Sequence, residues 1–375
     1  MITPTATSGE IEQPSAHDVA LEAALVAWFR DRGSVLLGYS GGVDSAYLAC
    51  VAVDALPRDR VLAVIGRSAS YPSEQWERAR QVAEEFRVPV LEVVTDELND
   101  PRYAANPSNR CYFCKTELWD VLVPIARERH LATVVDGTNA DDSSDHRPGA
   151  RAAGEHGVRS PLAEIGFTKD SIRRLSRARG MPTWSQPSSP CLSSRIPYGT
   201  QVTRDRLQQI ERAEESLRRA GVAGDMRVRY HGDLARIELA ADVLDAWLVP
   251  DARARLATAV AAAGFERVAV DARGFRSGSL NVLGGVVAEP LVRARSATSG
   301  DAVGLSAALG RIDLACDVEA RDRLAVLLFA DDAATDRLLS TAVRERVVDV
   351  ARGHGFTHVG IEIGAAVGDA AVRCS

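Results

Sequence analysis

Two glycines, two serines and an aspartate follow an apolar stretch at a spacing that suits phosphate binding. After SVLLGY, at the start of a helical pattern, the chain reads Ser40-Gly41-Gly42-Val43-Asp44-Ser45. Glycines let backbone amides close around phosphate oxygens, and a helix N-terminus adds positive potential. Asp44 can hold Mg²⁺, and both serines can donate hydrogen bonds. The alternative is a plain glycine-rich turn, but strand, aspartate and helix together predict a nucleotide site without the lysine of a Walker A loop.

Three of the six cysteines are placed where thiol chemistry is expected. Cys111 and Cys114 form a C-x-x-C pair, and Cys191 stands alone in a Ser/Pro-rich segment. Thiolates suit iron–sulfur ligation, and a pair plus a remote third cysteine could attach a 4Fe–4S cluster at three points. A zinc site would need a fourth ligand, and a redox pair would need a thioredoxin-type setting. An idle reduced pair is the remaining alternative.

Two arginines are spaced to meet one anion. Arg227 and Arg229 alternate along the apolar pattern MRVRYH, which places both on one face of a predicted strand. Forked guanidinium donors suit a phosphate group. The alternative is solvated charge at the edge of a sheet.

The elements that must position these residues follow an alternating pattern. Apolar strand patterns at 34–39, 61–66, 88–94 and 131–137 are separated by helical patterns. This order predicts an α/β fold, with a parallel sheet covered by helices on both faces. Ligands of such sheets bind outside the carboxyl ends of the strands. The SGGVDS loop and DGTNADD should therefore meet in space.

Composition changes along the chain predict several domains. Residues 1–16 are expected to be a disordered lead-in, and 17–200 to be the nucleotide-binding domain. A smaller α+β unit is predicted at 201–284, and a further α+β unit at 285–375. The segment 252–272 resembles 343–363, and 234–248 resembles 324–339, so the last unit is interpreted as a degenerate repeat of 201–284. The alternative is the chance similarity of two helix-turn-strand pairs.

Charge and hydropathy exclude several classes of protein. The 375 residues carry 45 Lys+Arg against 51 Asp+Glu, a net charge of −6, which argues against a nucleic-acid partner. No apolar run approaches the ~20 residues that span a bilayer, so no membrane partner is expected. The first residues lack the basic start and apolar core of a signal peptide. We therefore predict a cytoplasmic chain, and a homo-oligomer is expected.

The loop resembles that of the PP-loop ATP pyrophosphatases, and five further motifs resemble the LarE family of sulfur transferases. In order, these are NRCYFCK (109–115), DGTNADD with DHRPG (136–149), CLSSRIPYG (191–199), RVR (227–229) and GFRSG (274–278). The resemblance runs from about residue 20 to about residue 282. It implies an adenine-nucleotide α-hydrolase-like sheet. The usual family chain ends by about residue 285, so the tail departs from the pattern.

The resemblance implies an enzyme that uses ATP to activate carboxylates. Its small-molecule substrate would be pyridinium-3,5-biscarboxylic acid mononucleotide, converted to thiocarboxylates for the nickel-pincer nucleotide cofactor. The residues that it assigns to ATP are Ser40, Gly41, Gly42, Asp44 and Ser45, with Mg²⁺ on Asp44. Those that it assigns to the substrate are Ser194, Arg195, Glu214, Arg227, Arg229, Asp233 and Arg276.

The family offers two sources of sulfur. Some members sacrifice one cysteine, which becomes dehydroalanine, and Cys191 stands at that position. Others hold a 4Fe–4S cluster on three cysteines, for which Cys111, Cys114 and Cys191 are available. Because the sacrificial route requires only one cysteine, the sequence favours the cluster. The sequence does not indicate the sulfide donor.

Three other functions are compatible with the loop. A tRNA thiolase would share the loop and the cysteines, but it would need an RNA-binding module and a basic face. An ammonia-dependent amide synthetase would need no cysteine. A non-catalytic nucleotide-binding subunit is the third alternative, disfavoured by the intact loop and Cys191.

Overall fold

The computed structural model describes residues 13–144, 148–186, 190–276 and 300–365. The chain divides into two compact units, Met1–Cys191 and Leu192–Ser375. The strands of the first unit are β1 (Val35–Gly38), β2 (Val61–Arg67), β3 (Val90–Val94) and β4 (Thr133–Val135). Its helices are α1 (Ala16–Arg32), α2 (Val43–Ala55), α3 (Ser73–Glu85), α4 (Pro101–Ala104), α5 (Arg110–Glu128), α6 (Pro148–Glu155), α7 (Pro161–Ile165) and α8 (Lys169–Ala178).

The strands of the first unit form a parallel sheet in the order β3-β2-β1-β4. Alternate residues of β1 enter different apolar cores, because successive side chains of a strand point to opposite faces. Val35 and Leu37 pack in the core that contains α1, α2 and α8. Leu36 packs in the core that contains Trp119 of α5. Both faces are therefore covered by helices, and the predicted α/β fold is confirmed.

The second unit contains a mixed sheet in the order β5-β6-β7-β10-β9-β8. Its strands are β5 (Met226–His231), β6 (Leu234–Leu239), β7 (Arg267–Asp271), β8 (Asp317–Arg321), β9 (Leu324–Leu328) and β10 (His358–Ala365). Its helices are α9 (Arg204–Arg219), α10 (Ala241–Trp247), α11 (Pro250–Ala261), α12 (Ala302–Gly310), α13 (Asp332–Asp336) and α14 (Thr341–Gly353). The antiparallel pair β7–β10 joins the two halves of this sheet.

Some sequence-based boundaries fall differently in the structure. The division between the units lies at 191/192 rather than at 200/201. The helix between β3 and β4 that carries the C-x-x-C pair is α5, which begins at Arg110. Most of the predicted lead-in, the DHR of DHRPG, the end of GFRSG and the boundary at 284/285 lie outside the described residues. Among the described helices, none is long and apolar enough to cross a membrane.

Candidate functional site

The loop after β1 is held tightly against α3. Gly41 has a φ of 66°, and a Cβ built there would lie 2.3 Å from the Cβ of Ala79. A residue with a side chain would therefore be strained and would clash. Tyr71 and Gln75 both donate hydrogen bonds to the carbonyl of Ser40, at 2.8 and 3.0 Å. These contacts with Ala79, Tyr71 and Gln75 hold the loop in its conformation.

The two loop serines contact each other. The Oγ of Ser45 accepts a hydrogen bond from the amide of Ser40 at 3.2 Å and lies 3.1 Å from the Oγ of Ser40. Helix α2 begins immediately after Gly42, with Asp44 in its first turn. The loop thus combines clustered hydroxyl groups with a helix N-terminus, an arrangement suited to phosphate oxygens.

The SGGVDS and DGTNADD segments meet at the carboxyl edge of the parallel sheet, as predicted. A Cβ on Gly137 would lie 3.0 Å from the backbone nitrogen of Ser45, so only glycine permits this approach without displacement. Asn139 donates from Nδ2 to Asp44 at 3.4 Å. Asp136, directly after β4, accepts hydrogen bonds from Thr138 and Ser160. Two strand ends therefore supply one polar site.

Lys169 is a site residue that the sequence reasoning missed. It begins α8, and its ammonium forms an ion pair with the carboxylate of Asp44. The backbone amide of Lys169 also donates to Asp141 at 2.7 Å. The SGGVDS loop itself contains no lysine. The fold nevertheless brings Lys169 to Asp44 of this loop from 125 residues away in the chain. Asp44 retains the carboxylate oxygens that Mg²⁺ prefers, and a metal ion there would compete with Lys169.

The three cysteines lie in the first unit, and two of them share a helix. Cys111 and Cys114 are three residues apart on α5, so they lie on the same face of that helix. Burial raises the pKa of the Cys114 thiol well above its usual value, and the nearby Glu97, Cys191 and Cys111 raise it further. Cys114 is therefore a thiol rather than a thiolate at neutral pH. Glu97 is itself buried and accepts a 2.5 Å hydrogen bond from Ser70.

These thiols have the chemistry that iron prefers, but they do not form a ready ligand set. Within the ranges that the structure describes, no three Cys, His, Asp or Glu side chains are grouped to hold a metal ion. The expected 4Fe–4S cluster on Cys111, Cys114 and Cys191 therefore stays a prediction.

In the second unit, Arg195 and Glu214 form a buried bidentate pair. The Nε and Nη2 atoms of Arg195 donate to the two carboxylate oxygens of Glu214 at 2.9 and 3.0 Å. Burial would raise the pKa of Glu214, but Arg195 and the amide of Val228 outweigh it and lower the pKa. Arg195 Nη1 also donates to the hydroxyl of Ser194 at 3.1 Å. Three of the predicted substrate residues, Ser194, Arg195 and Glu214, are thus in contact.

Arg229 belongs to a second buried group. It donates to Glu238 from Nε and Nη2 at 2.9 and 2.6 Å, and to the carbonyl of Ser194 at 2.8 Å.

Arg236 is fully buried between Glu238 and Asp271. Arg276 reaches Asp271 at 3.3 Å. Ser194 accepts hydrogen bonds from both Arg229 and Arg195, so it connects the two groups. Arg276 is connected to Arg236 through Asp271.

Arg227 lies on the same face of β5 as Arg229. It is only 4% exposed, and its guanidinium lies 4.9 Å from the ring centre of Phe275. Asp225 lies 4.0 Å away, and Arg227 donates to the carbonyl of Met226 at 2.7 Å. Burial, followed by the charge of neighbouring Arg195, lowers the pKa of Arg227 to about 10. The alternative of solvated strand-edge charge is therefore wrong for both arginines.

The arginine cluster carries more positive than negative groups. In the described part of the second unit, it contains five guanidinium groups and four carboxylates. The members are Arg195, Arg227, Arg229, Arg236 and Arg276 with Glu214, Asp225, Glu238 and Asp271. Arg276 and Asp225 are partly exposed, so the buried members among the described residues are four guanidinium groups and three carboxylates. A buried excess of positive charge is costly, and an anion would relieve it.

Asp233 is placed differently from the other predicted substrate residues. It lies in the turn between β5 and β6, where Arg321 binds both of its carboxylate oxygens at 2.6 and 3.1 Å. Arg267 lies 3.9 Å from it. In the described part of the chain, the side chain of Asp233 therefore contacts residues outside the arginine cluster.

One part of the chain is similar to NAD synthases. Residues 27–104 match the NAD synthase family, a stretch that contains the SGGVDS loop. A glutamine-dependent NAD(+) synthetase of Aquifex aeolicus is 36% identical over 103 residues, 24% of this chain and 18% of the relative. This similarity is confined to one part of the chain.

Two relatives match over nearly their whole length. An uncharacterized protein of Synechocystis sp. is 42% identical over 254 residues, covering 68% of this chain and 94% of the relative. The pyridinium-3,5-bisthiocarboxylic acid mononucleotide synthase of Lactiplantibacillus plantarum is 37% identical over 260 residues, covering 69% of this chain and 93% of that enzyme.

Proposed function

The chain belongs to the LarE family of PP-loop enzymes, and we propose that it makes pyridinium-3,5-bisthiocarboxylic acid mononucleotide from the biscarboxylic acid. ATP would supply the activation, and the product would serve nickel-pincer nucleotide cofactor synthesis. Family membership supports the reaction class. The contacts of the chain's own residues support the roles assigned below.

The proposed reaction has two steps, adenylation of a carboxylate and transfer of sulfur to the acyl-adenylate. A carboxylate oxygen of the substrate attacks the α-phosphorus of ATP, and pyrophosphate leaves with the electrons of the broken bond. A sulfur nucleophile then attacks the acyl-adenylate carbon, and AMP leaves with the original carboxylate oxygen. Adenylation is needed because a carboxylate oxygen is a poor leaving group. Two rounds convert both carboxylates.

The loop and its neighbours would bind the phosphates of ATP. The hydroxyl groups of Ser40 and Ser45 lie 3.1 Å apart, and α2 begins directly after Gly42 of the same loop. Mg²⁺, when bound, would shield phosphate charge from Asp44, its proposed ligand. Lys169, now paired with Asp44, would then be able to contact a phosphate oxygen. These roles would account for the ion pair between Lys169 and Asp44.

The phosphate of the mononucleotide would bind the arginine cluster. The single observation that carries this assignment is the burial of Arg227 and Arg229, at 4% and 5% exposed, in a cluster with excess positive charge. A phosphate dianion would neutralise that excess with charge-assisted hydrogen bonds. Ser194, Arg195 and Glu214 would orient the guanidinium groups, and Arg276 would extend the cluster. Asp233 stays a predicted substrate residue, and its described side-chain contacts are with Arg321 and Arg267.

Three cysteines of the first unit are the candidates for the sulfur carrier. Cys191 would deliver sulfur directly, or with Cys111 and Cys114 it would hold a 4Fe–4S cluster that carries a sulfide. The structure supports a shared environment, because Cys111 and Cys191 both act on the pKa of Cys114. When bound, the cluster would make sulfur transfer renewable.

Anaerobic turnover with the biscarboxylic acid mononucleotide, ATP, Mg²⁺ and sulfide tests the proposal. We expect thiocarboxylate product, iron in the purified protein, and loss of both in Cys111→Ala, Cys114→Ala and Cys191→Ala. The matched control is Cys50→Ala, a buried cysteine of α2. If Cys111→Ala and Cys114→Ala stay active while Cys191 loses the mass of H₂S, the cluster is wrong and the sacrificial route holds. Absence of thiocarboxylate under all conditions would contradict the proposed function.

The similarity to NAD synthase favours one second candidate, an ammonia-dependent amide synthetase. Ammonia would then replace sulfur as the nucleophile, and no cysteine would be required. Turnover with ammonium, unaffected by Cys191→Ala, would support it. The homo-oligomeric state and the cytoplasmic location expected from the sequence stay predictions.

A further inference from the structure

The two halves of the second unit's sheet have the same order of elements. In the first half β5 is antiparallel to β6, and β6 is parallel to β7. In the second half β8 is antiparallel to β9, and β9 is parallel to β10. A helix precedes each hairpin, and further helices separate it from the last strand. The turns of both hairpins contain a residue with positive φ, Gly232 in one and Asp322 in the other.

The halves exchange equivalent ion pairs. Aligning GFERVAVDA with GFTHVGIEI makes Arg253 equivalent to Arg344 and Asp245 equivalent to Asp336. Arg253 of the first half forms an ion pair with Asp336 of the second at 3.0 Å. Arg344 of the second half forms an ion pair with Asp245 of the first. Such reciprocal contacts are the mark of an interface with two-fold symmetry.

The central strand pair has the same symmetry. Val270 of β7 lies opposite Ile361 of β10, and these two positions are equivalent in the alignment. On either side, Ala269 lies opposite Glu362, and Asp271 lies opposite Gly360. In the alignment Ala269 is equivalent to Gly360, and Glu362 is equivalent to Asp271. Replacing each residue of the first pair by its equivalent therefore gives the second pair. The pseudo-two-fold axis therefore passes beside Val270.

The second half has equivalents of Arg253 and Asp245 but not of the arginine cluster. Arg253 and Asp245 have equivalents of identical type, and both arginines are buried. The cluster positions differ in charge or polarity. We align the two hairpins by the strand pairs next to their turns, His231–Leu234 and Arg321–Leu324. The second hairpin then has Asp317, Glu319, Val326 and Leu328 at the positions of Arg227, Arg229, Arg236 and Glu238. The second half can therefore pair with the first, but it cannot bind the anion that the first half is suited to bind.

We propose that residues 300–365 are a built-in partner, which occupies the surface on which the first half of a second copy of this chain would dock. The symmetry carries this inference, because the reciprocal Arg–Asp contacts and the central strand pairing can also form between two identical first halves. If two first halves met, Arg253 of each chain would face Asp245 of the other. The edge of β7 would pair with β7, with Val270 at the axis. In the native chain that edge is covered by β10.

The test weakens the internal partner while leaving the first half unchanged. The full-length double variant Asp336→Arg/Arg344→Gln removes the two reciprocal ion pairs, Arg253–Asp336 and Arg344–Asp245. The ion pairs of Arg267 with Glu319 and Glu362, and of Arg321 with Asp233, remain. Its mass is measured by light scattering over a wide range of protein concentration, beside the wild type. We expect a concentration-dependent species with twice the wild-type mass. A variant mass equal to that of the wild type at every concentration would overturn the proposal.

The matched control adds Arg253→Asp to the same chain. The aspartate introduced at position 253 would attract the arginine introduced at position 336 of its own chain. It would also repel Asp245 of a second chain, so we expect the wild-type mass to return. Equal association of the double and triple variants would overturn the proposal, because association would not use the Arg253–Asp245 contact.

A milder pair of variants covers the case in which the double variant does not fold. Asp336→Asn is then compared with Asp336→Asn/Asp245→Asn. Only the first should associate, because the second also lacks the carboxylate that Arg253 of another chain would contact. Equal behaviour of the two would again overturn the proposal.

Discussion

Lys169 forms an ion pair with Asp44, although 125 residues separate them in the chain. Each residue begins or lies in the first turn of a helix, Lys169 in α8 and Asp44 in α2. Asn139 adds a hydrogen bond to the same carboxylate. The pair places a cation and a carboxylate beside the SGGVDS loop. If Asp44 binds Mg²⁺ as proposed, Lys169 would be released to contact a phosphate oxygen of ATP.

Lys169 can be observed directly, because the sequence contains only one other lysine, Lys115. In a chain with isotope-labelled lysine side chains, Mg²⁺ and ATP should shift the Lys169 signal. Lys115, which lies over the ring of Trp119, serves as the internal reference. Lys169→Met should weaken ATP binding by about tenfold to a hundredfold, since a hydrogen bond to a charged group contributes ~1.5–3 kcal/mol. Unchanged binding and an unshifted signal would exclude the phosphate role.

Asp44 should be required for release of pyrophosphate. Asp44→Asn keeps the size of the side chain but removes the charge that Mg²⁺ needs, so pyrophosphate release should be lost while circular dichroism is unchanged. Asp54→Asn, near the end of the same helix, is the matched control and should keep wild-type release. Equal release by Asp44→Asn and wild type would exclude Asp44 as a metal ligand.

The loop was predictable from sequence because strand, loop and helix are contiguous there. The parallel sheet and the meeting of the loop with DGTNADD followed from the same alternating pattern. Lys169 was not predictable, because its partner is distant in sequence and a single helix-starting lysine carries no signal. The burial of Arg227 and Arg229 was also missed. Their strand is at the edge of the sheet, but Arg229 forms an ion pair with Glu238 of β6 and donates a hydrogen bond to the carbonyl of Ser194.

Arg227 should bind the phosphate of the mononucleotide rather than ATP. Arg227→Gln removes a charge and a forked donor, so affinity for the mononucleotide should fall by about tenfold to a hundredfold. Affinity for ATP, measured by calorimetry, should not change. Arg206→Gln is a matched control, since Arg206 also lies over an aromatic ring, that of Tyr230, at 5.3 Å. Parallel loss of both affinities would point to a structural role instead.

Stability of the second unit should fall on acidification. Burial, followed by the charges of Arg236 and Arg276, lowers the pKa of His358 from 6.5 to about 3. Between these values the unfolded chain binds a proton that the folded chain does not, so the free energy of unfolding rises with pH. One such histidine changes stability by ~1.4 kcal/mol per pH unit.

Hydrogen exchange of β7 and β10 peptides at pH 7 and pH 5 measures this effect. His358→Gln should flatten the pH dependence, although His231, whose pKa burial also lowers, should retain part of it. His130→Gln, on a turn of the first unit, is the control and should behave as wild type. An unchanged slope in His358→Gln would contradict the assignment.

The central claim, that ATP activates the substrate carboxylates for sulfur transfer, is tested most directly by following one oxygen atom. Pyridinium-3,5-biscarboxylic acid mononucleotide is prepared with heavy oxygen in its carboxylates and incubated anaerobically with the protein, ATP, Mg²⁺ and sulfide. Mass spectrometry then locates the label. We predict heavy oxygen in the phosphate of AMP, one atom for each carboxylate converted, together with thiocarboxylate product. Thiocarboxylate formed with unlabelled AMP, or AMP labelled without any thiocarboxylate, would contradict the account.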